Sequence, residues 1–122
     1  MLLQGGTYDG VRVLSPLSIE YMLTNHIPEE ELPYEPEGTP FYRFSKGYGF
    51  GLGVKVMVSP SESENLGSVG ESSWSGAAST YFWVVPEYDL AILVFSQNQG
   101  YLRVQPIMES IRVAVYQSLV SD

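Results

Sequence analysis

Phe50, Leu52, Val54, Val56 and Val58 alternate with Gly51, Gly53, Lys55, Met57 and Ser59, the period-two pattern of a strand with one face on a core. The two glycines strip side chains from the opposite face, which implies that something packs closely there. Pro60 to Asn65 reads as a turn, and Leu66 to Gly70 as a short antiparallel return. Ala77 to Val85 and Leu90 to Ser96 are apolar, β-rich runs joined by Pro86-Glu87-Tyr88-Asp89. Loop length and turn chemistry make them a hairpin, and near-continuous apolarity implies burial on both faces.

The period changes at both ends of the chain. After the turn-rich stretch Gly5 to Gly10 and a short β-type run, Val11 to Leu14, Ser15-Pro16 reads as an N-cap followed by proline at the first helical position. Leu14 and Ile19 are spaced as a hydrophobic staple across that start. Ile19, Met22 and Leu23 share a face, and Asn25, His26 and Pro28 mark the stop, giving about three turns. Pro106 opens a second helix whose stripe is Ile107, Met108, Ile111, Ala114, Val115 and Leu119, with Arg112 and Gln117 off it. Between these, Glu29 to Pro40 has five glutamates and three prolines in twelve positions and is expected as a surface loop. The expected class is α+β: an antiparallel sheet of three to four strands, a C-terminal helix packed on it and an N-terminal helix, in a single domain over residues 1–122.

Composition narrows the function classes. With 44% hydrophobic and 16% charged residues, the 122-residue chain is globular rather than disordered. A net charge of −8 disfavours nucleic acid and anionic lipid as partners. No cysteine occurs and His26 is the single histidine, so no metal site and no cofactor is expected. The opening Met1-Leu2-Leu3-Gln4 lacks the flank and apolar run of a signal peptide, and no run approaches a membrane span. The expectation is a soluble chain, with export of a longer parent left open.

Chemistry, if present, sits in Gly70 to Thr80, a polar cluster between apolar runs. Small residues at 75–79 let the backbone approach a bound group, and a strand edge there would offer N–H groups to a developing oxyanion. The bland alternative is a bulge at a sheet corner. His26 lies near a helix C-terminus without an evident orienting carboxylate, and Glu62 with Glu64, like Glu87 with Asp89, falls in a turn, where carboxylates are ordinarily solvated.

The string GESSWSGAASTYFW from Gly70 to Trp83, followed by Pro86 and the strand Leu90–Ser96, resembles the third sequence block of the serine β-lactamase-like hydrolases, which include class C β-lactamases, D-alanyl-D-alanine carboxypeptidases and family VIII esterases. The order around it, GGTYDGVRVLSP with a helix, GFGLGVKV, the Trp-Ser-Gly block, a hairpin and a terminal helix, resembles the carboxy-terminal portion of that family's catalytic domain over nearly the whole chain. The resemblance implies a substrate-binding element of Trp74, Ser75, Gly76 and Ala77, in which Ser75 hydrogen-bonds substrate and the Ala77 N–H is one of two oxyanion donors. Family members commonly carry Lys-Thr or His-Thr before the glycine. Trp74 removes the cation that a β-lactam carboxylate would meet, which favours an ester or peptide-like acyl substrate; packing in a core is the other use of that indole.

A serine hydroxyl needs an adjacent base before it attacks, and neither a Ser-x-x-Lys nor a Tyr-x-Asn string occurs. The chain is therefore expected to be the C-terminal piece of a larger hydrolase, inactive alone, with an acyl compound as substrate of the whole protein. The alternative is a non-catalytic module. In either case an open sheet edge implies a homo-oligomer or pairing with the missing N-terminal portion.

Overall fold

The computed structural model describes residues 1–33, 46–99 and 101–119. Its first element is a small hairpin, β1 (Thr7–Tyr8) with β2 (Val11–Arg12). Asp9 and Gly10 between them both take positive φ, 46° and 75°, the primed turn that suits a two-residue β-connection. Helix α1 (Pro16–Met22) follows, with Ser15 as N-cap accepting the Ser18 N–H at 3.0 Å. It runs seven residues rather than the three turns expected, closing at Leu23. Glu29–Glu31 forms one 3-10 turn, and the rest of the expected acidic loop, from residue 34, lies outside the described residues.

The main sheet has five antiparallel strands in sequential order: β3 (Tyr48–Phe50), β4 (Lys55–Met57), β5 (Ser72–Ser75), β6 (Tyr81–Val85) and β7 (Leu90–Val94). The α+β class and the C-terminal helix are as the sequence implies, while the strand count exceeds the three to four expected. The extra strand comes from the run read as one strand from Phe50. That run reverses at residues 51–54, so Phe50 pairs with Lys55 and the Gly51 N–H donates to Val54 O at 2.8 Å. Gly53 takes φ +81°, open only to a residue without a Cβ penalty. A Cβ on Gly51 would lie 2.2 Å from Met22 O, so this glycine does permit the close approach anticipated, with the end of α1. The return strand is Ser72–Ser75, and Leu66 to Gly70 is a connection rather than a strand.

Helix α2 spans Tyr101–Ser118 and contains Pro106 instead of starting there. Proline removes one N–H and crowds the preceding turn, yet that turn carries Val104. Val104 and Met108, one turn apart, join Trp83 and Val85 as the buried core, with Tyr81, Leu90, Ile92, Val94 and Ile111 packed around them. Burying an aliphatic side chain is worth roughly 2 kcal/mol, which offsets much of the roughly 3 kcal/mol that an interior proline costs a helix. Two residues assigned to the stripe, Ile107 and Ala114, are exposed, whereas Arg112, assigned off it, is buried. The stripe on the sheet is Val104, Met108, Ile111 and Arg112.

The two sheet edges differ. The β3 edge is covered by the segment after α1: the His26 N–H donates to Phe50 O at 2.8 Å, and Asn25 Oδ1 accepts the Phe50 N–H at 3.0 Å. Among the described residues nothing pairs with the outer edge of β7. On the face away from α2, Leu93 and Phe95 are 66% and 82% exposed. No helix among the described residues is long and apolar enough to cross a membrane.

Candidate functional site

Strand β5 is a central strand with a partly open side. It pairs with β6 along its full length, Ser72↔Val84 to Ser75↔Tyr81, but with β4 only at Ser72 and Ser73. Beyond Ser73 the neighbouring chain has turned away through residues 51–54. The Gly76 N–H donates to Thr80 O at 2.8 Å, making Gly76 and Thr80 a hydrogen-bonded pair. Antiparallel ladders alternate, so Ser75 with Tyr81 is a non-hydrogen-bonded pair whose N–H and C=O groups face outward. The Ser75 amide thus points to the side that β4 has vacated.

Residues 77–79 form the loop between β5 and β6. The Ser79 N–H donates to Gly76 O at 2.9 Å. A trans peptide is planar with its C=O and N–H opposed, so an inward Gly76 carbonyl sends the Ala77 N–H outward, toward the same vacated side. Ala77 is exposed, and no acceptor for its N–H occurs among the described residues. The Trp74 ring meets the Phe50 ring edge-on, centroids 5.3 Å apart, at the β3–β4 turn. The structure therefore places Trp74, Ser75, Gly76 and Ala77 along the end of β5 and the loop after it, with the Phe50 ring against Trp74. An apolar groove of about 480 Å³ lies elsewhere, between Leu17, Ser18, Tyr21 and Met22 of α1 and Leu52.

The other sequence candidates stay apart from this edge. His26 is exposed and beyond the end of α1, with Nε2 2.8 Å from Tyr21 O and its ring 4.5 Å from the Tyr21 ring. Glu62 and Glu64 lie exposed in the turn before β5, and Glu87 and Asp89 in the β6–β7 turn. No group of metal-ligating side chains forms among the described residues.

Sequence reading passes over two Ser-x-Asn strings, and both bond to backbone. Ser63 Oγ accepts the Asn65 N–H at 3.0 Å. Ser96 and Asn98 lie after β7, where each meets the 77–79 loop: Ser96 Oγ is 2.6 Å from Ser79 O, and the Asn98 N–H donates to Ala78 O at 3.1 Å.

It also misses a buried polar cluster beneath the start of β5. Glu71 is fully buried and meets Arg112 Nη2 through both carboxylate oxygens at 2.5 Å. Tyr116 OH donates to the same carboxylate, and Arg112 Nε donates to Leu66 O. Nearby, Lys55 Nζ sits 4.0 Å from the centroid of the Tyr48 ring. Desolvation, reinforced by repulsion from Arg112 and opposed by Glu71, lowers the Lys55 amine from 10.5 to about 8. Burial raises the phenols of Tyr48 and Tyr116 above their ordinary value, and the hydrogen bond to Glu71 adds to the rise at Tyr116.

These shifts set a pH profile. The unfolded chain binds more protons than the folded one between the two Lys55 values, so stability rises from about pH 8 to 10.5. Discounted for partial exposure, the gain is on the order of 2 kcal/mol. The raised phenols contribute stability that is present below pH 10 and lost as pH climbs through their folded values. Urea midpoints are expected to rise from pH 7 to about 10 and fall beyond, and Lys55→Met is expected to flatten the rise. A wild-type midpoint that falls steadily from pH 7 would contradict this assignment.

No protein-family model matches the chain. It is 41% identical over 99 residues to the uncharacterized protein MT1414 and to the protein Rv1367c, both of Mycobacterium tuberculosis, covering 80% of this chain and 24% of each relative. The chain thus spans about a quarter of the length of these curated relatives. Among solved structures it resembles EstCE1, a hydrolase with promiscuous acyltransferase activity, with a TM-score of 0.71 and 19% identity over 93% of this chain and 26% of that one. It also resembles simvastatin synthase (LovD) from Aspergillus terreus, with a TM-score of 0.73 and 19% identity over 98% and 32% of the two chains. At such identities the likeness shows the fold alone, part of a β-lactamase-like arrangement.

Proposed function

We propose that this chain is the C-terminal portion of a serine β-lactamase-like acyl hydrolase, acting on an ester, peptide-like or β-lactam acyl group. The observation that carries the reading is the outward Ala77 N–H, on the side of β5 from which β4 turns away beyond Ser73. In the reaction, a serine supplied by another part of the protein gives its proton to an adjacent base and attacks the acyl carbonyl, and the base later passes that proton to the leaving group. The oxyanion that forms accepts hydrogen bonds from the Ala77 N–H and from the N–H of that serine, the leaving group departs, and water hydrolyses the acyl-enzyme. Ser75 orients the substrate, and Trp74, contributing no cation, favours an acyl group without a carboxylate. The likeness to a hydrolase with acyltransferase activity and to simvastatin synthase supports this class of chemistry.

A second reading rests on the β7 edge. Its five residues, Leu-Ala-Ile-Leu-Val, carry no charge or proline to discourage pairing, and a module of that kind would associate with a second copy. One preparation tests both. With a chromogenic ester or cephalosporin the isolated chain is expected to show neither burst nor turnover. Turnover that survives Ser75→Ala would refute the assigned roles. Light scattering of the same sample at high concentration decides the second reading: a dimer lost on Leu93→Lys, a change at an exposed position of the same strand that leaves the core intact, supports it, and a monomer at all concentrations removes it.

A further inference from the structure

The direction of the Ala77 amide is held by residues outside the Trp-Ser-Gly block. Gly76 O is drawn inward by the Ser79 N–H, and Ser79 takes φ +62° while almost fully buried. A non-glycine residue in this left-handed region persists only where its surroundings over-determine it. Here they do so from the segment after β7. Ser79 Oγ donates to Asn98 O at 2.8 Å. The Ser96 hydroxyl lies 2.6 Å from Ser79 O and 3.0 Å from Ala78 O, its proton shared between them. The Asn98 N–H completes the brace on Ala78 O at 3.1 Å. Two successive carbonyls and one hydroxyl of a three-residue loop are thereby tied to residues 17 to 20 positions later in the chain.

We infer that Ser79 and Ser96 are positioning residues for the Ala77 amide. By bracing the 77–79 loop they hold the Gly76–Ala77 peptide plane with its N–H toward the open edge. That this N–H serves an oxyanion rests on the acyl-hydrolase reading; the brace itself does not. A preorganised donor costs no reorganisation when charge develops, so a fixed plane is what such a site requires. The serines touch no reacting atom and act through the loop.

Backbone ¹⁵N relaxation on the isolated chain tests this without an acyl donor. In the parent, the Ala77 amide is expected to be as ordered as those of β6, with an order parameter of about 0.85. In Ser96→Ala it is expected to fall below about 0.6 while β6 and β7 stay rigid, and Ser96→Thr, which keeps the hydroxyl, is expected to restore it. Ser79→Gly, which relieves the left-handed strain but loses the bond to Asn98 O, is expected to loosen Ala77 similarly if Ser96→Ala does not fold. An Ala77 amide already mobile in the parent, unchanged in folded variants, or loosened only in step with the whole sheet would overturn the inference. Each of those results leaves the hydrolase reading standing, because that reading is judged by turnover.

Discussion

Arg112→Ala is expected to lower the unfolding free energy by about 3–5 kcal/mol, read from urea denaturation at pH 7. The substitution leaves the fully buried Glu71 carboxylate without its ion-pair partner and with Tyr116 OH as its remaining hydrogen-bond donor among the described residues, and it also releases Leu66 O. A domain this size has a total stability of roughly 5–15 kcal/mol, so the loss approaches unfolding. Glu71→Leu combined with Arg112→Met removes both charges and is expected to recover most of that loss, because a buried ion pair contributes little over a well-packed apolar pair. If Arg112→Ala cost under about 1 kcal/mol, the pair would be solvated rather than buried.

Much of the fold was legible because its local signals agreed. Ser15-Pro16 capped a helix as its chemistry requires, and the β6–β7 hairpin followed from two apolar runs on either side of Pro86. The residues at 51–54 misled because alternation reports which face a side chain takes and is silent on whether the chain reverses. The turn signal was present in Gly51 and Gly53, read there as close packing. Only Gly51 serves that purpose; Gly53 serves the turn. Pro106 misled in another way: a local rule about proline starts the helix there, whereas the turn before it carries Val104 into the core, an offset to the proline's cost that no local pattern shows.

Arg112 was the costliest misreading. It follows Val104 and Met108 at intervals of four, so it stands on the core face, and only a buried acid could keep it there. That acid is Glu71, 41 positions earlier, a pairing that no local pattern announces. The candidate edge was legible in its residue types alone. Its geometry depends on where β4 stops and on the brace from Ser96 and Asn98, both long-range features.

The measurement that tests the central claim most directly is ester hydrolysis by the longer polypeptide obtained by extending the reading frame upstream, with and without Ala77→Pro. The substitution deletes one N–H at an exposed loop position. Turnover is expected to depend on an upstream Ser-x-x-Lys, and kcat is expected to fall by roughly 10²–10³-fold on Ala77→Pro, the usual cost of one oxyanion donor, with KM little changed. A longer polypeptide that hydrolyses the ester equally well with proline at position 77 would contradict the account.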